Sequence, residues 1–424
     1  MNSIASRARQ WAVGISALAF AATAAYGADT FRKPARTYPV GPHPCAIVAQ
    51  DLNGDGKPEI VTADRGTLVN PRQEKPANDE LSLLVAGEDL TYTRQTLRSG
   101  FAPYCIVVAN IDGRKAPDLV VGSFHAARNR NITVFRNLID NLVPVYFSVP
   151  DNRVGYERMA DEDGRPIFTK PGITSLAVGH VDHDGYRDVV ATGWASDVLV
   201  YLPGHAEDLL GPPRFIPAAG GPRDVELADL DGDGELDLAV TLYSVNEVGI
   251  WKGDGTGSFA EVDRFSSRDS LPHKIEVSDI NRDGKPDLAV SHCYAGDSIV
   301  LFFGEGGLRF SVSQEILLAD ADDGRAAARQ VLEHEIRDVL VEDLNGDGKP
   351  DIAAACAASG KVIVLFNESS DGALPLAFRR ETYSFDGAAP QALCTADFDG
   401  NEKPDLAVAL WGTGGDAVAL LLAR

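Results

Sequence analysis

Seven times along the chain a short apolar run breaks into a cluster of carboxylates, amides and glycines, then resumes as a second apolar run. The runs before the clusters read CAIVAQ, CIVVAN, SLAVGH, DVELAD, KIEVSD, DVLVED and ALCTAD. Those after them read EIVTA, DLVVG, DVVAT, DLAVT, DLAVS, DIAAA and DLAVA. A third apolar segment follows, clearest in VGIWKG, SIVLFFG and KVIVLFN, and a Gly-rich turn leads to a fourth, as in GDGTGSFAEV. Short runs of Val, Ile and Leu bounded by Gly, Asp and Asn predict strands covered on both faces. Four strands per unit and seven units predict an all-β fold, a seven-bladed β-propeller of four-stranded blades. The last unit ends at Arg424 directly after its third strand, DAVALLLAR, while FRKPARTYPVGPHP near the N-terminus resembles the fourth-strand segment FRRETYSFDGAAP at 378–390. An N-terminal strand is therefore expected to complete the last blade and close the ring, which removes exposed strand edges.

The polar clusters share one spacing, D-x-[DN]-x-[DN]-G-x-x-D. Three copies are complete: Asp229, Asp231, Asp233, Asp237 (229–237); Asp279, Asn281, Asp283, Asp287 (279–287); and Asp343, Asn345, Asp347, Asp351 (343–351). The loop at 51–59 (Asp51, Asn53, Asp55, Glu59) ends in Glu, and that at 397–405 (Asp397, Asp399, Asn401, Asp405) has Glu402 in the glycine position. Loops 110–118 and 180–188 are degenerate, with Arg114 replacing one ligand and His180 another. Oxygens at positions 1, 3, 5 and 9 converge on one point, and hard oxygen donors in a flexible loop suit Ca²⁺ better than Mg²⁺. An EF-hand is excluded, because the twelfth position is Thr62, Val240, Val290, Ala354 or Val408 and the flanks are strands. The expectation is about five structural Ca²⁺, with Arg114 standing in for the metal in the second loop. A loop repeated in every blade reads first as a staple between two strands and only weakly as an activity.

Composition places the chain among exported proteins. Arg7 and Arg9 precede the apolar run WAVGISALAFAATAA, and Ala25-Tyr26-Gly27 offers a cleavage site, so residues 1–27 read as a signal peptide and 28–424 as one propeller domain, secreted or periplasmic. The run is too short for a stable membrane span, and no membrane insertion is expected after cleavage. A net charge of −23 repels nucleic acid and anionic lipid surfaces. Neither is an expected partner.

These residues resemble the FG-GAP/VCBS repeats of integrin α-subunit propellers and of many bacterial exported proteins. The resemblance rests on P-x-x-I/V…D-x-[DN]-x-DG-x-x-D-L-x-V and on GDGTGSF, and covers 31–424. It implies that the calcium loops lie on one face of a disc and that ligands meet the opposite face; such propellers serve as adhesion modules, lectins or enzyme supports. On that geometry the strand starts bring Cys45, Tyr104, Cys105, Arg223, His273, Lys274, Arg337 and Gln391 to the opposite rim. The loops after the second strands add Arg65, Phe124, His125, Trp194, Tyr243, His292, Cys293, Tyr294, Cys356 and Trp411. An aromatic and basic rim on an acidic protein reads as a mouth for a carbohydrate or protein ligand. Tyr104, Trp194, Arg223, Tyr243, His273, His292, Tyr294, Arg337 and Trp411 are the candidate binding residues; these side chains can equally serve to cap the channel by packing.

The alternative is a polysaccharide lyase or related enzyme. It would use His273, His292 or Tyr243 as base and Arg223 or Arg337 to neutralise a substrate carboxylate. Of the five cysteines, Cys45 with Cys105 is the expected disulfide and Cys293 with Cys356 the next. No phosphate loop, G-x-S-x-G elbow or dinucleotide fingerprint is present, and the stretch His334-Glu335-Ile336-Arg337-Asp338 lacks the second histidine of a zinc-protease helix. An insertion at 64–80 is expected to extend a loop of the first blade on the ligand side, and those at 150–171 and 319–334, the last with a short helix over GRAAARQVLEHE, to lengthen the second and fifth blades.

Overall fold

The structure, a computed structural model, describes residues 29–32, 36–66, 78–125, 130–138, 141–149, 159–160, 166–167, 172–293, 297–318, 335–412 and 415–424. The signal peptide, Tyr294, the proposed helix and most of each insertion lie outside them. Seven antiparallel four-stranded sheets follow one another. Their innermost strands are Pro44–Gln50, Phe101–Ala109, Ile173–Gly179, Pro222–Ala228, Pro272–Ser278, Ile336–Glu342 and Ala388–Ala396, in blades 1 to 7 respectively. Each innermost strand lies beside that of the next blade, and the seventh lies beside the first. The ring is complete.

Closure follows the sequence reading. The strand Thr37–Pro39 pairs with Ala417–Leu421, Tyr38 opposite Val418, and supplies the fourth strand of blade 7. Phe31, fully buried, adds a bridge to Ala423. The apolar runs lack clean alternation because each sheet is sandwiched between two others. Seven clusters of buried aliphatic and aromatic side chains fill the seven spaces between adjacent blades. Each wedge is a core in miniature.

One irregularity recurs in every blade. The pairing of the innermost strand with the second shifts register near its start, skipping Cys45, Tyr104, Thr174-Ser175, Arg223, His273-Lys274, Arg337 and Gln391. A bulge leaves its extra residue out of the ladder and re-aims the side chain. Proline precedes the bulge in five blades, at Pro44, Pro103, Pro222, Pro272 and Pro390, where no N–H is needed. Hydroxyls of the second strand accept bulge N–H groups in three blades: Thr192 from Ser175 at 2.9 Å, Thr241 from Asp224 at 3.0 Å and Ser291 from Lys274 at 3.2 Å. The mouth residues are thus aimed by a device of the backbone.

Candidate functional site

At one end of the disc sit the seven acidic loops. Their ninth-position carboxylates are almost wholly buried, and in every blade one oxygen accepts the N–H of loop position 2. The other oxygen accepts an N–H at the end of the third strand: Asp118 from Asn137 at 2.8 Å, Asp237 from Gly253 at 2.9 Å, Asp351 from Asn367 at 2.8 Å. This holds in the degenerate loops too, so the ninth acid ties the loop to the blade whether or not a metal binds. Burial raises these carboxyls, Asp351 to about 7 and Asp405 to about 6.

The first-position carboxylate shapes the turn: Asp51 accepts from Gly54 at 2.7 Å and from Gly56 at 2.9 Å, and Asp343 does the same with Gly346 and Gly348. The sixth residue needs positive φ, 85° at Gly56 and 81° at Gly348; Glu402 is held there at 64°. A side chain in that region costs roughly 1–2 kcal/mol. Glu402→Gly is accordingly expected to stabilise the protein by about 1 kcal/mol, read as a rise in the urea midpoint at unchanged slope.

The oxygen sets that could hold a hard divalent cation are those at 51–59, 229–237, 279–287, 343–351 and 397–405; Asp229, Asp231 and Asp233, and likewise Asp397, Asp399 and Asp405, bring ligand atoms within 4.8 Å of one another. In blade 2, the Nε atoms of Arg114 and Arg136 each lie 3.3 Å from Asp112 Oδ2. In blade 3, the Tyr201 hydroxyl donates to Asp182 at 2.9 Å and His180 Nδ1 lies 2.9 Å from the Tyr186 carbonyl. In blade 4, Lys252 Nζ meets both Asp231 and Asp233.

At the other end the bulged residues line a cavity of about 370 Å³ on the axis. Its rim is a run of cations and rings. The Arg65 guanidinium lies 5.4 Å from the Trp411 ring and 5.5 Å from Tyr104. Arg223 sits 4.9 Å from Tyr104 and 5.8 Å from Tyr243, donates to the Tyr104 hydroxyl, and approaches His273 Nε2 at 2.9 Å. Phe124 bridges Tyr104 and Trp194 at 5.8 Å each, and His43 packs on Trp411. Arg337 is paired with Glu335. Neither Arg65 nor Arg223 has a carboxylate partner among the described residues. The indole N–H of Trp194 and the Arg65 Nε are buried with no acceptor among the described residues.

Below the rim lies an ionic belt. Lys274 Nζ stands 3.3 Å from Asp224, 3.6 Å from Glu226 and 3.7 Å from Glu276. Burial raises Glu226 to about 7 and Asp338 to about 6. Asp224 and Asp338 also stitch neighbouring innermost strands, accepting the N–H of Ile275 and of Leu393 at 2.8 Å each. Further in, the channel turns apolar around Val48, Ile106, Leu340 and Leu393.

The structure brings Tyr104, Trp194, Arg223, Tyr243 and His273 into one cluster, with Trp411 joined through Arg65, and sets Arg337 on the same wall. His292 does not belong to it: the ring is fully buried against Ser298, whose hydroxyl is held by Asp269. The expected disulfides are absent, and all five cysteines are free thiols. Cys45 Sγ points at the carbonyls of Pro103 and Tyr104, both at 3.5 Å, whereas Cys105 Sγ packs over Gly122 within its own blade, so the two sulfurs serve different neighbours. Cys293 and Cys356 are each wholly buried, and burial pushes the Cys293 thiol up to about 11. His43, Arg136, Lys252 and the acidic belt escaped the sequence reading. Only the belt had a signal, the carboxylates that alternate after the bulge in DVELAD and KIEVSD.

Fold and site together define a closed seven-bladed propeller with motif-bearing loops at one end and a rim of cations and aromatic rings at the other. Residues 180–240, 230–290 and 343–408 match the FG-GAP-like repeat family, and the chain is an FG-GAP repeat β-propeller. Such a fold supports a binding or interaction module. No curated protein sequence matches the chain. Among solved structures it is similar to BBS1N in complex with ARL6DN, at 16% identity and TM-score 0.58 over 93% of this chain and 97% of that one. It is also similar to virginiamycin B lyase from Staphylococcus aureus, at 13% identity and TM-score 0.54 over 92% and 99%. A putative 6-phosphogluconolactonase from Bacteroides uniformis matches at 15% identity and TM-score 0.51, over 81% and 87%. At such identities the likeness shows the fold alone. Among the described residues, no helix is long and apolar enough to cross a membrane.

Proposed function

We propose that the protein is an exported, calcium-stapled binding module whose mouth takes an acidic carbohydrate, a uronate-bearing end of a polysaccharide. The observation that carries this reading is the pair Arg65 and Arg223, two guanidiniums stacked on aromatic rings with no carboxylate on either among the described residues, in a protein of net charge −23. Guanidinium forks match carboxylates in a bidentate manner, and the exposed edges of Trp194, Phe124 and Trp411 offer apolar faces to a sugar ring. The cavity of about 370 Å³ below the rim is near the small end of ligand pockets of roughly 300–1,000 Å³, and its Asp224, Glu226, Glu276 and Asp338 carboxylates would confine an acidic sugar unit to the Arg223 end. Calcium in the loops at 51–59, 279–287, 343–351 and 397–405 would supply a rigid base without touching the ligand.

A second reading, β-elimination by the same mouth, is favoured by the contact of His273 with Arg223. Burial first, then Arg223 and Arg337, hold this histidine well below its usual pKa, so it is neutral at pH 7. Yet Nε2 takes the Arg223 N–H, which occupies the lone pair a base would use. Binding therefore comes first.

The test is a screen of the calcium-loaded protein against uronate-containing and neutral polysaccharides, recording binding and the absorbance of unsaturated sugar in the same wells. Binding of the acidic polymers, weakened roughly 10–100-fold by Arg223→Ala, is expected. Equal binding of neutral polymers, or an unchanged affinity in the variant, refutes the proposal. Absorbance that rises and is lost in His273→Ala makes the protein a lyase.

A further inference from the structure

The loop richest in carboxylates already meets a cation of the chain's own. In 229–237 all four ligand positions are aspartate. Asp229, Asp231 and Asp233 bring oxygens within 4.8 Å of one another. Two of the three are already paired: Lys252 Nζ contacts Asp231 and lies 2.7 Å from Asp233 Oδ2. The lysine reaches there by register. It is the penultimate residue of the strand Glu247–Gly253, and the next residue, Gly253, donates its N–H to the ninth-position Asp237. In blade 2 the corresponding donor to Asp118 is Asn137, and the residue before it is Arg136, whose Nε lies 3.3 Å from Asp112. The same strand position thus delivers a cation to the third loop residue in two blades. One of those loops has already lost a ligand to Arg114. In blades 1, 5, 6 and 7 the position holds Val85, Phe303, Phe366 or Leu422, none of which can neutralise a carboxylate.

We infer that Lys252 is the resident cation of the blade 4 loop, replacing Ca²⁺ there as the arginines do in blade 2, so that the propeller has two self-neutralised blades among cation-requiring ones. An ammonium held between two carboxylates satisfies the same oxygens that a divalent ion would need. A metal ion would have to evict it, with the mutual repulsion of the two cations opposing entry. The strand register, Lys252 opposite Ala260 of the strand Phe259–Ser266, fixes where its backbone lies, and the part-exposed side chain reaches from there to both carboxylates. The inference rests on the calcium reading of the remaining loops.

The experiment is the number of Ca²⁺ bound per chain, by native mass spectrometry and by calorimetric titration of the full-length mature protein at pH 7. Lys252→Met is expected to bind one ion more than the parent, and Asp229→Asn in the parent background to leave the number unchanged. In the double variant, Lys252→Met with Asp229→Asn, the extra ion is expected to vanish. A parent that loses one ion on Asp229→Asn, or a Lys252→Met protein with no added ion, overturns the inference. A parent that binds no calcium at all refutes the calcium reading itself, a separate outcome. Should Lys252→Met fold poorly, the Asp229→Asn comparison still decides the question.

Discussion

Asp118→Ala is expected to destabilise the protein by about 3–5 kcal/mol, and by the same amount with calcium or with a chelator present. Asp118 is fully buried and its carboxylate accepts three backbone N–H groups: Ile111 at 2.9 Å, Asp112 at 3.1 Å and Asn137 at 2.8 Å. Hydrogen bonds to a charged acceptor contribute roughly 1.5–3 kcal/mol each, and part of that offsets the burial which raises this carboxyl. Alanine leaves three N–H groups without acceptors and joins neither loop to third strand. For a chain of this length the thermal midpoint should fall by about 5 °C. Because Arg114 and Arg136 already supply the positive charge in this loop, a loss that tracks calcium would contradict the account, as would a loss under about 1 kcal/mol. Asp351→Ala, in a loop with its oxygen ligands intact, strands two N–H groups in place of three and should lose a smaller backbone contribution and a calcium-dependent part besides.

Deleting the chain through Pro39 should have the largest effect of all. The segment buries Phe31 and Tyr38, and its side-chain hydrogen bonds reach the two neighbouring blades: Thr30 N–H to Glu381 at 2.8 Å and Phe31 N–H to the Tyr383 hydroxyl at 3.1 Å in blade 6, and the Tyr38 hydroxyl to the Leu90 carbonyl at 2.5 Å in blade 1. Burial of two large aromatics alone is worth about 3–6 kcal/mol. The deletion also strips the partner from Ala417–Leu421, an apolar strand of five residues, and leaves a flat open edge. Oligomers or precipitate on size-exclusion chromatography, with melting well below that of the parent, are the expected result. A monomeric deletion protein that melts with the parent would show that closure does not hold the ring together.

The ring was legible because its two signals repeat in register. Each polar cluster fixes a tight connection between two strands, and the mirrored segments FRKPARTYP and FRRETYSFD reveal which strand the last blade borrows. The mouth was legible for a related reason: residues five or six before each loop fall on the bulge, so counting back from Asp229 or Asp279 lands on Arg223 or His273. What stayed hidden were contacts that depend on where a long side chain bends. Lys252 is one basic residue in a strand, and nothing in GIWKGDG shows that its amine turns back to a loop twenty residues earlier. The separation of Cys45 from Cys105 was hidden too, since equivalent rim positions say nothing of which carbonyl or glycine each thiol covers. His292 misled by its place at the end of the strand Asp287–His292, where the ring is buried against Ser298 and does not reach the rim.

The seven bulges have a consequence for how such a protein changes over generations. Each displaced residue is excluded from the ladder, so its side chain is released from strand pairing while the strands on either side answer to the wedge between blades. Cys45, Tyr104, Arg223, His273, Arg337 and Gln391 occupy one such position apiece and share almost no chemistry. Selection can therefore rewrite the mouth one letter at a time, sampling new specificities as a combination lock samples digits, without the lock itself ever coming apart.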